Sequence, residues 1–230
     1  MLEKSYRPKS SSGILGLGKA INEQNIDKVF EVINEFEQID IQHPSVELLE
    51  VLIENYAKEI MSGDNGSQFL CSNLKGILGT RELNARIEKE LKIKLRISSS
   101  DEWYTGRRIL ITKNDFSTGL KNGEIGTCYK NSKNEFCISF DSSNQVLVSQ
   151  LQNYELAYAL TVHKSQGSEF RHVFLFLPEK INPVLTKELL YTAVTRAKES
   201  TLVVGNRGLI SEVVLKKIKR ASSIPSKITK

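Results

Sequence analysis

Residues 158–170, YALTVHKSQGSEF, constrain this chain more than any other stretch. An apolar run of Tyr158, Ala159 and Leu160 stops abruptly. Thr161, His163, Lys164, Ser165, Gln166, Gly167, Ser168 and Glu169 follow, most of them side chains that hydrogen-bond rather than pack. A buried strand has this texture when its carboxyl end delivers polar groups to a crevice, the place where open α/β sheets bind ligands. A strand followed by a solvated turn has the same texture, so the pattern alone leaves both readings open. A second cluster, LLYTAVTRAK at 189–198, lies within a helix predicted over 185–198. There Leu189, Leu190, Ala193, Val194 and Ala197 share one stripe and Arg196 falls at its margin, anchored by the packed face yet free to point into a cleft.

Around these clusters the chain reads as alternating helices and strands. Helical spacing marks a first helix from Ser10–Ser12 through Ile14, Leu17 and Ile21, a second over 26–36 and a third over 44–61. Residues 69–71 form a short apolar strand, and 80–97 begin as a helix with Leu83, Ile87 and Leu91 on one face. From about 98 to 154 the texture changes to short strands (108–112, 126–130, 135–140, 145–149) separated by polar turns. The run 173–180 is a continuous apolar strand, 201–205 another, and 209–218 a closing helix.

Two apparent nucleotide motifs fail on context. GILGLGKA at 13–20 nearly spells a P-loop, but Ala20 stands where a magnesium-holding Ser or Thr belongs, and no strand precedes Gly13. CISFD, ending at Asp141, superficially matches a magnesium-binding strand, yet Ser142 follows it and it lies among the short strands. Cys71, Cys128 and Cys137 are too far apart for a zinc site or disulfide framework, and His43, His163 and His172 are equally scattered, so no metal site is expected. No apolar run is long enough to cross a bilayer, and the first twelve residues have no signal-peptide core, so a cytoplasmic protein is expected. The net charge of +5 over 230 residues leans toward an anionic partner such as nucleic acid.

TVHKSQGSEF (161–170) resembles motif V of superfamily 1 helicases, and LLYTAVTRAK resembles motif VI. LEKSYRPKSSSGI at 2–14 resembles motif IV, so the likeness spans essentially the whole chain. The HKSQGSEF wording is most similar to the RecD-type branch, the exodeoxyribonuclease V alpha subunits and their relatives. The resemblance implies an α/β fold: a RecA-like second motor domain, a parallel sheet flanked by helices, built discontinuously from 1–98 and 155–218. WYTGRRILITKNDFSTGLKNGEIG resembles the small SH3-like β-barrel inserted into such motors, here 99–154, and 219–230 would be a basic flexible tail.

By the same resemblance, Arg7 and Arg196 would reach the γ-phosphate of ATP, Tyr6 would lie against the base, and Gln166, Gly167 and Glu169 would line the nucleotide cleft. Thr161, His163 and Lys164 would face single-stranded DNA. ATP and Mg2+ would serve the full-length enzyme, a 5′–3′ helicase of double-strand break repair. Neither would bind tightly to this piece, which lacks the P-loop and catalytic carboxylates of the first motor domain and should be inactive alone. RecB and RecC subunits are the implied partners; a RecD-like or conjugative helicase outside that complex, or a non-catalytic nucleic-acid-binding module, are alternatives. Lys113, Lys121, Lys130 and Lys133 with Trp103 and Tyr104 would offer a DNA surface on the barrel, although the positions of Trp103 and Tyr104 favour a barrel plug.

Overall fold

A computed structural model describes residues 12–140 and 144–216. Tyr6, Arg7, Asp141 and the basic tail at 219–230 lie outside the described residues. In chain order the elements are α1 (Ser12–Asn22), α2 (Ile26–Glu35), β1 (Ile39–Gln42), α3 (Val46–Met61), β2 (Ser67–Cys71) and α4 (Thr80–Leu95). Five strands follow: β3 (Arg108–Ile111), β4 (Ile125–Lys130), β5 (Phe136–Phe140), β6 (Gln145–Leu147) and β7 (Tyr154–Leu156). The chain ends with β8 (Ala159–Thr161), β9 (Phe170–Phe176), α5 (Lys187–Val194), β10 (Ala197–Val204) and α6 (Arg207–Leu215).

Five of the strands make one parallel sheet in the order β1-β10-β9-β2-β8. Its faces are covered on both sides, so that β2 is buried at every position, its polar Ser67 and Gln68 included. Leu70 points into a core built with α1, α2, α5 and α6, whereas its neighbours Phe69 and Cys71 point into a second core with α3 and α4. The helices begin where side chains accept hydrogen bonds from free backbone amides: Asn25 from Lys28, Ser45 from Leu48, Thr186 from Leu189 and Asn206 from Gly208. Cys71, Cys128 and Cys137 are all free and buried.

The chain between α4 and β8 folds into a second, antiparallel sheet in the order β6-β5-β4-β3-β7. Ile109, Ile111, Ile138, Phe140 and Val146 are the heart of its small core. The regular short strands read from the sequence are present, and β7 joins them as an outer partner of β3. Trp103 packs against this small core, whereas Tyr104 is buried in the core shared with α3 and α4. Trp103 packs at 5.4 Å on Tyr154 with the Arg107 guanidinium 5.0 Å from its ring, and buried Tyr104 shares a 2.7 Å hydrogen bond with the Tyr158 hydroxyl.

Three local expectations change. The helix expected to reach Lys198 ends at Val194, because the Thr195 hydroxyl donates back to the carbonyls of Tyr191 and Thr192, and Ala197 already opens β10. Arg196 therefore sits in a turn, not on the margin of a helix. β9 begins at Phe170, earlier than the apolar run alone indicates, because Arg171 and His172 amides already bond the Gly66 carbonyl. β1, which carries Asp40 and Gln42 and packs only at an edge, lacked the apolar signal of the other strands.

Candidate nucleotide and nucleic-acid site

Thr161 closes β8 and caps the tight turn Val162–Ser165, its hydroxyl accepting from the Lys164 amide at 3.4 Å. Within that turn Val162 and Ser165 face inward, and the Ser165 hydroxyl donates to the Val162 carbonyl at 2.8 Å. His163 is left exposed, while the Lys164 ammonium turns to Glu155 of β7 at 2.5 Å. A group expected to face DNA is thus also an ion-pair link to the antiparallel sheet.

The chain then runs back along the sheet. The Ser168 amide bonds the Ser165 carbonyl and the Phe170 amide bonds the Arg196 carbonyl at 2.9 Å. Gly167 and Glu169 therefore stand by the amino-terminal ends of β9 and β10. This corrects the carboxyl-end expectation: the polar run starts at the carboxyl end of β8, but it is the return path to β9, and its second half reaches the opposite edge of a parallel sheet. Gly167 has φ +89°, with no atom near the place a Cβ would occupy. Only a residue without Cβ takes that conformation at no steric cost.

Arg196 meets this loop from the other strand. Its Nε donates to the Thr192 carbonyl at 3.3 Å and its Nη1 to the Ser168 carbonyl at 3.1 Å. Among the described residues no carboxylate pairs with it, so a half-exposed guanidinium is held in place without being neutralised. That arrangement suits an incoming anion, since the planar fork is already oriented. Glu169, one residue beyond Ser168, lies 3.7 Å from the Lys198 ammonium, and Gln166 is exposed on the same loop.

A crevice of about 460 Å³ opens beside the loop. Gly167, Ser168 and Glu169 form one wall, Gly123, Glu124 and Ile125 of the antiparallel sheet the other, with the buried Arg108 between them. Arg108 is 3% exposed, and its Nη1 donates to the Tyr56 hydroxyl at 2.8 Å and the Ser67 carbonyl at 3.2 Å. No group of three His, Cys, Asp or Glu side chains is placed to hold a metal ion among the described residues.

The structure thus joins Gly167, Glu169 and Arg196 through Ser168 and sets Thr161, His163 and Lys164 on the connecting turn. Asn84 was not anticipated as a participant. From α4 its carboxamide oxygen accepts from the Ala159 amide at 2.8 Å, and its nitrogen donates to the Ala159 carbonyl at 2.9 Å and the Leu156 carbonyl at 3.3 Å. β8 is an edge strand, and one side chain supplies what a neighbouring strand would. A buried polar residue among Leu83 and Ile87 was the available signal in the sequence.

Residues 156–204 match the family described as UvrD-like helicase C-terminal domain. The RecBCD enzyme subunit RecD of Haemophilus influenzae is 36% identical over 172 residues, covering 74% of this chain and 26% of that protein. The subunit of the same name from Buchnera aphidicola subsp. Schizaphis graminum is 29% identical over 244 positions, covering 94% of this chain and 40% of that protein. The chain therefore spans about a quarter to two-fifths of the length of these curated relatives. A crystal structure of Pif1 helicase from Bacteroides in complex with ADP-AlF3 and ssDNA superposes with a TM-score of 0.55 at 16% identity, over 94% of this chain and 53% of that one. That likeness speaks for the fold, a RecA-like motor domain with a helix-flanked parallel sheet. With the motif V and VI residues inside the matched segment, and RecD subunits as its relatives, this chain belongs to the RecD-like helicases and carries their UvrD-like C-terminal domain.

Proposed function

We propose that the chain is the second motor domain of a RecD-type, ATP-dependent 5′–3′ DNA helicase acting in double-strand break repair in the cytoplasm. In this reading residues 1–98 and 155–218 are the motor, 99–154 an SH3-like insert and 219–230 a basic tail. The observation that carries it is the Arg196 guanidinium, fixed by two carbonyls beside Gly167 and Glu169 and, among the described residues, paired with no carboxylate.

Arg196, joined by Arg7, would present positive charge to the γ-phosphate as its bond to the leaving oxygen breaks, stabilising charge on the transferring group. The order of elements supports a shared edge. Lys187, at the start of α5, donates to the Asn22 carbonyl at the end of α1, and Gly18 faces Tyr191 and Thr195. The two helices therefore run antiparallel, and the first turn of α1, which follows the motif IV segment, lies toward Arg196.

Gln166, Gly167 and Glu169 would border the nucleotide, with Tyr6 against its base. Thr161, His163 and Lys164 would contact single-stranded DNA. Since the turn Val162–Ser165 and the Gly167 loop are one continuous segment, a shift at the nucleotide would be felt at the strand.

Magnesium would be held with ATP by the first motor domain, where the resemblance places the P-loop and the magnesium carboxylate. RecB and RecC are the proposed partners, and this chain alone is expected to hydrolyse no ATP. In the full-length helicase, Arg196→Ala should lower DNA-stimulated ATP turnover by about a thousandfold while single-stranded DNA affinity stays within about twofold. Unchanged turnover would remove the central claim.

A further inference from the structure

Phe116 is 95% exposed, against 65% for Ile77, the next most exposed large apolar side chain among the described residues. It stands on a braced tip. The Asp115 amide donates to the Leu120 carbonyl at 2.8 Å, the Ser117 amide and hydroxyl both donate to Asp115 Oδ1 at 2.9 and 2.6 Å, and the Asn122 amide donates to Asn114 Oδ1 at 2.8 Å. The ring is therefore held out in water by the hydrogen bonding of its own loop.

Two lysines flank the tip. The bridge between Asp115 and Leu120 sets Lys121 beside Asn114, with Lys113 one residue further down the opposite arm. Both are exposed, and neither forms an ion pair among the described residues. The Asp115 carboxylate is turned into the loop, accepting from Ser117, and the two lysines outnumber it. The hairpin also rises from the crevice: Gly123 and Glu124, immediately after it, face Gly167 and Glu169.

A flat apolar ring beside ammonium groups matches single-stranded nucleic acid, whose bases stack on aromatic faces while its phosphates meet cations. An apolar protein surface fits less well, because the residues flanking Phe116 in the loop, Asn114, Asp115 and Ser117, are polar and the other exposed large apolar side chains among the described residues lie on other elements. Resting on the motor reading above, we propose that Phe116, with Lys113 and Lys121, is a base-stacking contact for single-stranded DNA passing the motif V turn. It also replaces Tyr104, which is buried, and Trp103, which packs on Tyr154 and Arg107, as the aromatic element of that surface.

The test uses this chain and two fluorescent oligomers, an oligothymidylate and an abasic strand of equal length, read by anisotropy at low salt. Phe116→Ala should weaken oligothymidylate binding about tenfold, within what one base–aromatic stack contributes, and leave abasic binding unchanged. Phe116→Trp should restore affinity and show fluorescence quenching that the packed Trp103 of the wild type does not. Equal losses on both oligomers, or no loss on either, would overturn the proposal. No loss for Phe116→Ala alongside weakening by His163→Ala would sink the stacking contact and leave the motor reading standing. Absence of wild-type binding to both strands would remove both. Intact DNA affinity with lost binding to purified RecB and RecC would reassign the ring to a subunit contact.

Discussion

Among the described residues Arg196 is held by carbonyl oxygens and not by a carboxylate, and it owes that state to the turn in which it stands. Were α5 to continue through Lys198, as side-chain spacing suggests, the Arg196 amide and side chain would follow the helix and lose the Ser168 carbonyl. Thr195 ends the helix, and the turn aims the side chain across to the neighbouring strand. Gly167 has the complementary role of keeping that neighbourhood open. Gly167→Val meets no clash, but at φ +89° it strains the loop by about 1–2 kcal/mol. The expected outcome in the full-length helicase is a several-fold higher KM for ATP with a small fall in thermal midpoint. A KM equal to wild type would show that the loop does not border the nucleotide.

At the level of elements, β8 is held on one side by β2 and on the other by a single carboxamide. Asn84→Asp keeps the acceptor for the Ala159 amide but cannot donate to the Ala159 and Leu156 carbonyls while ionised. Burial beside carbonyl oxygens favours the protonated acid, which restores a donor. We expect the variant to be destabilised by about 1–3 kcal/mol at neutral pH and to recover as pH falls, whereas Asn84→Ala should be destabilised without recovery. Urea midpoints measured across pH for both variants would decide this; identical pH profiles would reject the donor role. Most of the motor sheet was legible from sequence because β2, β8, β9 and β10 carry the unbroken apolar runs that strands covered on both faces require. What could not be read was direction. The run 161–169 shows where chemistry concentrates but not that it spans the sheet from one edge to the other, since that depends on β8 and β9 being parallel. The site of Asn84 was equally silent, because a carboxamide paired to a backbone across 75 positions leaves no local spacing to recognise.

Over the whole molecule, three phenols knit the antiparallel sheet to the motor. Tyr56 donates to the Tyr158 carbonyl and receives Arg108, while Tyr158 and Tyr104 share a hydrogen bond. Burial raises all three above the ordinary phenol value of 10.0, desolvation being the largest cause in each case. Groups that bind their proton more tightly when folded contribute stability that is complete below the unfolded value and lost as pH rises past it. Urea stability should therefore be level up to about pH 10 and fall steeply above it. Tyr104→Phe, at about 1 kcal/mol lower stability near neutrality, should make the alkaline decline shallower. A parallel decline in the two proteins would show that Tyr104 is not among the groups that titrate.

The entry and exit of the antiparallel sheet are themselves hydrogen-bonded: Ile109 pairs with Leu156, and the Ala157 amide bonds the Arg108 carbonyl. Whatever lies between is a closed excursion whose ends meet at the base. Lengthening or trimming its distal hairpins changes loop entropy only slowly and never moves the points where chain enters and leaves the motor. Evolution could remodel the far end of this lobe for a new strand or partner while the engine beneath it kept the same geometry.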